Sequence, residues 1–181
     1  RQTDRFLGVD IARLGEYDTV LFNLERLNRK TLRQIDMKIL KKTMLTETAR
    51  MILTEDRHQN FKRIYIDDGG LGAGVLDILL EDEQTRRKVE AINNSSRSLN
   101  REDTQKKRIL KEDLYTNLLR IMEQKKIQLF DDEEIVHSLR SIQYEYTNKG
   151  IRIFGRYTHI TEALIRAAWC LHDKRLKIWC A

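Results

Sequence analysis

The stretch Ile64-Tyr65-Ile66-Asp67-Asp68-Gly69-Gly70-Leu71-Gly72-Ala73-Gly74 constrains the fold more than any other part of the chain. A short apolar strand runs into a carboxylate pair, then into a turn with four glycines in six residues, then into the start of a helix. Alternation along a strand places Ile64 and Ile66 on one face and Tyr65 and Asp67 on the other. Glycines at this density let backbone pass close to other backbone or to a ligand. A charge at the exit of an apolar strand is costly unless it is paired or binds a cation. Two readings stand here. One is an aspartate that caps a helix after a tight turn. The other is half of an acidic site, which needs a second carboxylate from elsewhere.

The rest of the chain supplies a frame for that stretch. Residues 6–12 form a near-continuous apolar run interrupted by Asp10, as in a central strand. A turn at 14–18 leads to β-forming segments at 19–24 and 30–40, so the first three strands read as an antiparallel meander. Residues 43–56 follow as a helix with Leu45, Ala49, Ile52 and Leu53 on one side. The strand at 63–67, a helix to about residue 80 and a strand at 89–92 then alternate. A meander joined to strand–helix–strand units predicts an α/β fold, a mixed β-sheet flanked by α-helices.

Residues 93–101 are polar and read as a loop. From Lys106 to Glu123, Ile109, Leu110, Leu114, Leu118 and Ile121 recur at helical spacing. Residues 133–141 form a further helix, with Asp131 and Asp132 as cap residues, an acidic cluster that suits a helix terminus better than a metal. Segments 142–147 and 151–154 flank Asn148-Lys149-Gly150 as a β-hairpin. The last helix begins near Thr158 or Thr161. Its buried stripe is Leu164, Ala167, Ala168 and Leu171, while His159, Glu162 and Arg166 share another face.

A length of 181 residues suffices for one domain with a real core. No segment approaches the roughly 20 apolar residues of a membrane span, and no secretory pattern opens the chain. Cys170 and Cys180 lack metal-like spacing, which suggests free thiols in a reducing compartment. The net charge of +6 permits a polyanionic partner. No phosphate-binding P-loop is present. An apolar strand follows Arg1 almost at once, so the chain reads as a piece of a longer protein.

Asp10 within the first strand, Asp67 at the end of the fourth, and His159 with Glu162 at the start of the last helix form the chemical constellation. If the first and fourth strands are neighbours, the two aspartates meet at one edge of the sheet, and a helix packed there supplies a third ligand. Clustered carboxylates repel, and Mg²⁺ or Mn²⁺ relieves the repulsion by taking their oxygens. Two such ions about 3.5–4 Å apart activate a water and stabilise the leaving oxygen of a phosphodiester. That is the acid constellation of RNase H-like nucleases.

The segment Gly8-Val9-Asp10-Ile11-Ala12, with Gly15, Asp18, Thr19 and Val20, resembles the opening of the nuclease domain of viral large terminases of the tailed-bacteriophage type. Ile66-Asp67 with Gly70-Leu71-Gly72-Ala73-Gly74-Val75 resembles its second acidic motif. The layout of residues 110–144, and the hairpin leading into His159 and Ala163-Leu164, also resemble that family, so the likeness spans essentially the whole chain. It implies a single RNase H-like nuclease domain over residues 1–181, with an added β-hairpin before the C-terminal helix. Its activity would be a metal-dependent endonuclease that cuts concatemeric double-stranded viral DNA during genome packaging. The implied partners are an ATPase domain upstream of Arg1, the small terminase subunit and the portal, in the host cell cytoplasm and without a membrane.

By this resemblance Asp10 and Asp67 bind the metal ions. Asp68 replaces Asp67 if the strand register slips by one residue. Asp18 either supports a ligand from behind or stabilises a turn. The third position departs from the family, because the aspartate expected four residues before the Ala-Leu pair is His159, with Glu162 one turn on. His159, Glu162 or both serve as the ligand, His159 being the one in register. An imidazole would tilt the site towards Mn²⁺. The basic groups expected to meet DNA phosphates are Arg97 and Arg101 in the loop, Lys106 and Lys107 at the helix start, and Lys149, Arg152 and Arg156 on and beside the hairpin. Each basic residue also reads as part of a solvated face. Competing classes are a junction resolvase or RNase H relative acting on branched or hybrid nucleic acid, a sugar-kinase or actin-like phosphate-binding domain, and a catalytically idle docking module.

Overall fold

Strand β1 (Asp4–Asp10) sits inside a six-stranded mixed sheet ordered β5-β4-β1-β2-β3-β6. The computed structural model describes residues 3–11, 18–67, 72–92, 111–148 and 150–173. Strands β2 (Thr19–Arg26) and β3 (Leu32–Leu40) continue β1 as the antiparallel meander read from the sequence. Strand β4 (Arg63–Ile66) lies parallel to β1, and β5 (Val89–Ala91) parallel to β4. The short β6 (Ile127–Gln128) closes the far edge beside β3. A separate hairpin pairs β7 (Gln143–Thr147) with β8 (Gly150–Phe154). The expected fold class, a mixed sheet between helices with an added hairpin, is what the chain adopts.

Alternation in β1 and β4 divides the core in two. Leu7, Val9, Ile64 and Ile66 face helices α1 (Leu45–Gln59) and α2 (Gly72–Glu81). Phe6 and Tyr65 face α3 (Lys111–Glu123), α4 (Glu133–Ser141) and α5 (His159–Ala168). Each such aliphatic or aromatic side chain taken from water stabilises the fold by about 1.5–3 kcal/mol. Among the described residues no helix is long and apolar enough to cross a membrane.

Two glycines set the distances that matter for the site. A Cβ on Gly8 would fall 2.0 Å from the Ala163 carbonyl oxygen and 2.5 Å from the Ala167 amide nitrogen, so α5 rests directly on the β1 backbone. A Cβ on Gly72 would fall 1.8 Å from the Asp67 carbonyl oxygen, so the start of α2 closes onto the exit of β4. Both positions use the absent side chain for backbone packing.

Several boundaries differ from the sequence expectation. Helix α1 runs to Gln59 and ends at Asn60 in the left-handed region, whose amide donates to the Asp56 carbonyl. The cause lies in Asp56, whose carboxylate receives the Phe61 amide and thereby ties down the helix end. Helix α4 begins where expected, with Asp132 accepting from the Glu134 and Ile135 amides as its cap. Helix α5 is not one-sided. Every residue from Ile160 to Ala168 is buried, Glu162 and Arg166 included, because the helix is enclosed by the sheet, α3 and α4.

Candidate active site

The C-terminal ends of two adjacent parallel strands bring Asp10 and Asp67 to one edge of the sheet. Asp10 is the last residue of β1, and Asp67 follows β4 directly, its amide donating to the Val9 carbonyl at 3.4 Å. Helix α5 crosses this edge and presents His159, Glu162 and Arg166, one turn apart, to the same place. The approach is possible because Gly8, two residues before Asp10 on the same face, leaves room for the helix backbone.

His159 and Asp10 are in direct contact. The His159 Nδ1 lies 2.7 Å from Asp10 Oδ2, and Arg166 Nη1 lies 3.8 Å from Asp10 Oδ1. Burial pushes the Asp10 carboxyl above its ordinary pKa, against the His159 hydrogen bond and the Arg166 charge, which act to lower it. The hydrogen bond to Asp10 raises His159, with the charges of Asp10, Glu162 and Asp18 adding to it and burial opposing it.

Glu162 is engaged quite differently. Its carboxylate receives Lys111 Nζ at 2.6 Å, the Tyr115 hydroxyl at 2.8 Å and Arg166 Nη1 at 3.1 Å. Burial alone would raise its pKa, but Arg166 and Lys111 hold it below the ordinary value. Tyr115 is raised by burial and by the Glu162 charge, so it remains a neutral donor. Glu162 is therefore fastened by donors from α3 and from its own helix. Its side chain is 9% exposed, against 30% for His159 and 27% for Asp67.

Arg166 ties the cluster together. Its side chain is fully buried, and it donates to Asp67 Oδ2 at 2.7 Å and to the Glu162 carbonyl at 2.7 Å. Burial works against its charge, but Asp67, Glu162 and Asp10 outweigh that and raise its pKa further. Among the described residues, Asp10, Asp67 and Glu162 thus meet the side-chain cations Arg166 and Lys111. No three His, Cys, Asp or Glu side chains among the described residues converge as a ready set of metal ligands, and Arg166 lies 2.7 Å from Asp67 and 3.8 Å from Asp10.

Asp10, Asp67, His159 and Glu162 are brought together as the sequence suggested. Asp18 lies beside His159, and both line a groove of about 860 Å³ with Asp131, His137, Arg156 and Tyr157. Arg156 follows the hairpin and lines that groove, and Arg152, on β8, pairs with Glu145 across the hairpin at 3.1 Å. Asp68, Arg97, Arg101, Lys106, Lys107 and Lys149 lie outside the described residues. The sequence reading missed the inward turn of Lys111 and the roles of Tyr115 and Arg166. One signal for Arg166 was present, a glutamate four residues earlier on an otherwise apolar helix.

No protein-family model and no curated protein sequence matches the chain. Solved structures do match it. The large terminase nuclease of thermophilic phage G20c with bound magnesium superposes with a TM-score of 0.71 at 18% identity, covering 92% of this chain and 80% of that one. The large terminase nuclease domain of Thermus phage P74-26 gives 0.69 at 16% identity, over 95% and 82% of the two chains. The large terminase nuclease domain of bacteriophage SPP1 with bound manganese gives 0.60 at 17% identity, over 92% and 86%. The chain has the RNase H-like fold of phage large terminase nuclease domains.

Proposed function

We propose that this chain is a divalent-metal-dependent endonuclease that cuts double-stranded DNA during viral genome packaging. The observation that carries the reading is the Asp10–His159 contact beside Asp67 at the ends of two adjacent parallel strands. The likeness to terminase nuclease domains supports it, since two of those domains hold magnesium or manganese.

The donor types suit such an ion, while no three of them converge on one point among the described residues. Carboxylate oxygens suit Mg²⁺ and Mn²⁺, and an imidazole moves the preference towards Mn²⁺. Asp10 is a buried carboxylate met by His159 and, at longer range, by Arg166, so its charge is incompletely compensated. Asp10 and Asp67 would hold the ion, with His159 hydrogen-bonded to Asp10 beside it. When bound, it would lower the pKa of an attacking water and stabilise charge developing on the scissile phosphate. His159 orients the Asp10 carboxylate through Nδ1, and a neutral imidazole donating from Nδ1 carries its lone pair on Nε2. Glu162, held by Lys111, Tyr115 and Arg166, fixes the arginine rather than serving as the third ligand. Asp18 supports His159 from the groove.

Arg152 and Arg156, with Arg97, Arg101, Lys106, Lys107 and Lys149, would meet phosphates without reading sequence. Residues 1–181 would work as one nuclease domain beside an ATPase domain, the small terminase subunit and the portal in the host cytoplasm.

Plasmid nicking in Mn²⁺, Mg²⁺, Ca²⁺ or chelator, beside Asp10→Asn and Asp67→Asn, tests the reading. Cleavage that needs Mn²⁺ or Mg²⁺ and vanishes in both variants supports it. Metal-independent cleavage that survives Asp10→Asn would sink it, and cleavage confined to branched or hybrid substrates would redirect it to a resolvase or RNase H activity.

A further inference from the structure

We infer that the edge of the sheet opposite the two aspartates is a second surface for duplex DNA, one that holds the phosphate backbone away from the place of cutting. It goes beyond the endonuclease reading, because none of its residues belongs to that site.

Asp10 and Asp67 stand at the C-terminal ends of β1 and β4. The opposite end of the sheet carries cations in an unbroken row. At one flank Lys88 precedes β5, and Arg63 of β4 donates to the Arg87 carbonyl at 2.9 Å. The Lys62 amide donates to the Arg5 carbonyl of β1 at 2.8 Å. Asp4 of β1 lies opposite Arg26, which leads into the β2–β3 turn with Arg29 and Lys30. The Leu32 amide donates to the Lys126 carbonyl at 2.9 Å, which puts Lys125 and Lys126 at the other flank. Neighbouring strands lie about 4.8 Å apart, so the row runs about 24 Å across the sheet, the length of about seven base pairs.

Carboxylates divide these cations into two groups. Asp4 pairs with Arg26 and Lys62, Glu25 with Arg33, and Asp56 with Lys88. Those pairs fasten the sheet. Arg29, Lys30, Arg86, Arg87 and Lys125 are exposed and pair with no carboxylate among the described residues. Asp82, in the same loop as Arg86 and Arg87, is turned onto the Gln84 and Thr85 amides at 3.0 Å. Glu83 is the exposed carboxylate left in these turns.

Like charges gathered at one edge repel each other, and an extended polyanion turns that repulsion into attraction. A protein partner is the poorer match. Protein interfaces centre on aromatic or apolar anchors and are depleted in lysine. Among the described residues of these turns the one exposed large apolar side chain is Leu27, at 37%. Duplex DNA, by contrast, presents a phosphate charge about every 1.7 Å along its axis. Contacts of this kind fix position without reading sequence.

Titration of a short fluorescent duplex in chelator, at several salt concentrations, tests the inference without relying on cleavage. Arg86→Gln with Arg87→Gln should lower the slope of log affinity against log salt by about 2, and all four changes with Arg29→Gln and Lys30→Gln by about 4. The bonds at Arg87 and Lys30 are made by backbone atoms, so these variants should keep the wild-type melting temperature. If one pair fails to fold, the other decides. Arg50→Glu, exposed on α1, removes as much net charge as one pair and should leave the slope unchanged. An equal effect of Arg50→Glu overturns the inference. Unchanged binding in both pairs also overturns it and hands the row to an acidic protein partner. Absent cleavage, with DNA binding that still depends on the row, defeats the endonuclease reading alone.

Discussion

Asp10 and Asp56 are both carboxylates taken out of water, on opposite sides of the sheet, and they are satisfied in opposite ways. Asp56 is fully buried on the α1 side, where it receives the Phe61 amide at 3.0 Å, Gln84 Nε2 at 2.7 Å and Lys88 Nζ at 2.9 Å. Each oxygen is held by local donors, and one lysine balances its charge. Asp10, under α5, has His159 at 2.7 Å and Arg166 at 3.8 Å. A structural carboxylate is saturated by its own surroundings. A carboxylate with work to do is left short of positive charge, and burial pushes the Asp10 carboxyl above its ordinary value against the lowering effect of His159 and Arg166.

The sharpest way to break this comparison is to neutralise each aspartate in turn. Asp10→Asn should lower Mn²⁺-dependent nicking by more than about 100-fold, since even the outer partners of a metal site cost 10–100-fold. Its melting temperature should stay level or rise. Asp56→Ala should do the reverse, losing about 3–5 kcal/mol by leaving Lys88 unpaired, while nicking per folded molecule is unchanged. Thermal unfolding beside the plasmid assay reads both. Equal loss of activity in the two variants would erase the distinction.

Arg166→Met probes what holds the α5 side together. It leaves Asp67 and Glu162 without their shared cation and should cost about 3–5 kcal/mol in urea unfolding. Adding Asp67→Asn should recover part of the loss, because the carboxylate that faced the arginine at 2.7 Å loses its charge with it.

His159→Ala gives a smaller and pH-dependent effect, read in chelator. The folded-state pKa of His159 lies above its unfolded value. The stabilisation is therefore fully present below about pH 6.5 and is lost as pH rises through the higher folded value. A melting comparison should show a deficit of about 1.5 kcal/mol at low pH that closes as the pH rises. A deficit that grows with pH would mean the contact is not a charge-assisted pair.

The smallest effect touches neither aspartate. Arg156→Ala should reduce the salt dependence of DNA binding by a slope of about 1 with folding unaltered, measured by titration at several salt concentrations.

Much of the fold was legible from spacing. The meander, the strand–helix–strand unit over residues 63–92 and Asp132 as a helix cap all follow from local rules, and local rules operate within a few residues. The burial of α5 was misread for the same reason. Leu164, Ala167 and Ala168 mark one stripe, but the helix is enclosed by the sheet, α3 and α4, and no periodicity reports how many neighbours a helix has. Glu55 and Asp56 on the buried side of α1 escaped notice too, since a charge within a helix reads as solvated until its partners are known.

The sequence by itself determined that one carboxylate would lie within the first apolar strand and another at the exit of the fourth, with His159 and Glu162 at the start of the last helix; the structure ends the first strand at Asp10. Strand alternation and glycine spacing dictate those positions one element at a time. Only the tertiary structure decided which charges meet. Arg166 reaches Asp67 across 99 residues of chain, and Lys111 and Tyr115 reach Glu162 from another helix. Ion pairs of this kind depend on where whole elements dock. Here docking is set by backbone contact at Gly8, where α5 comes close enough to β1 to turn an unremarkable arginine into the centre of the site.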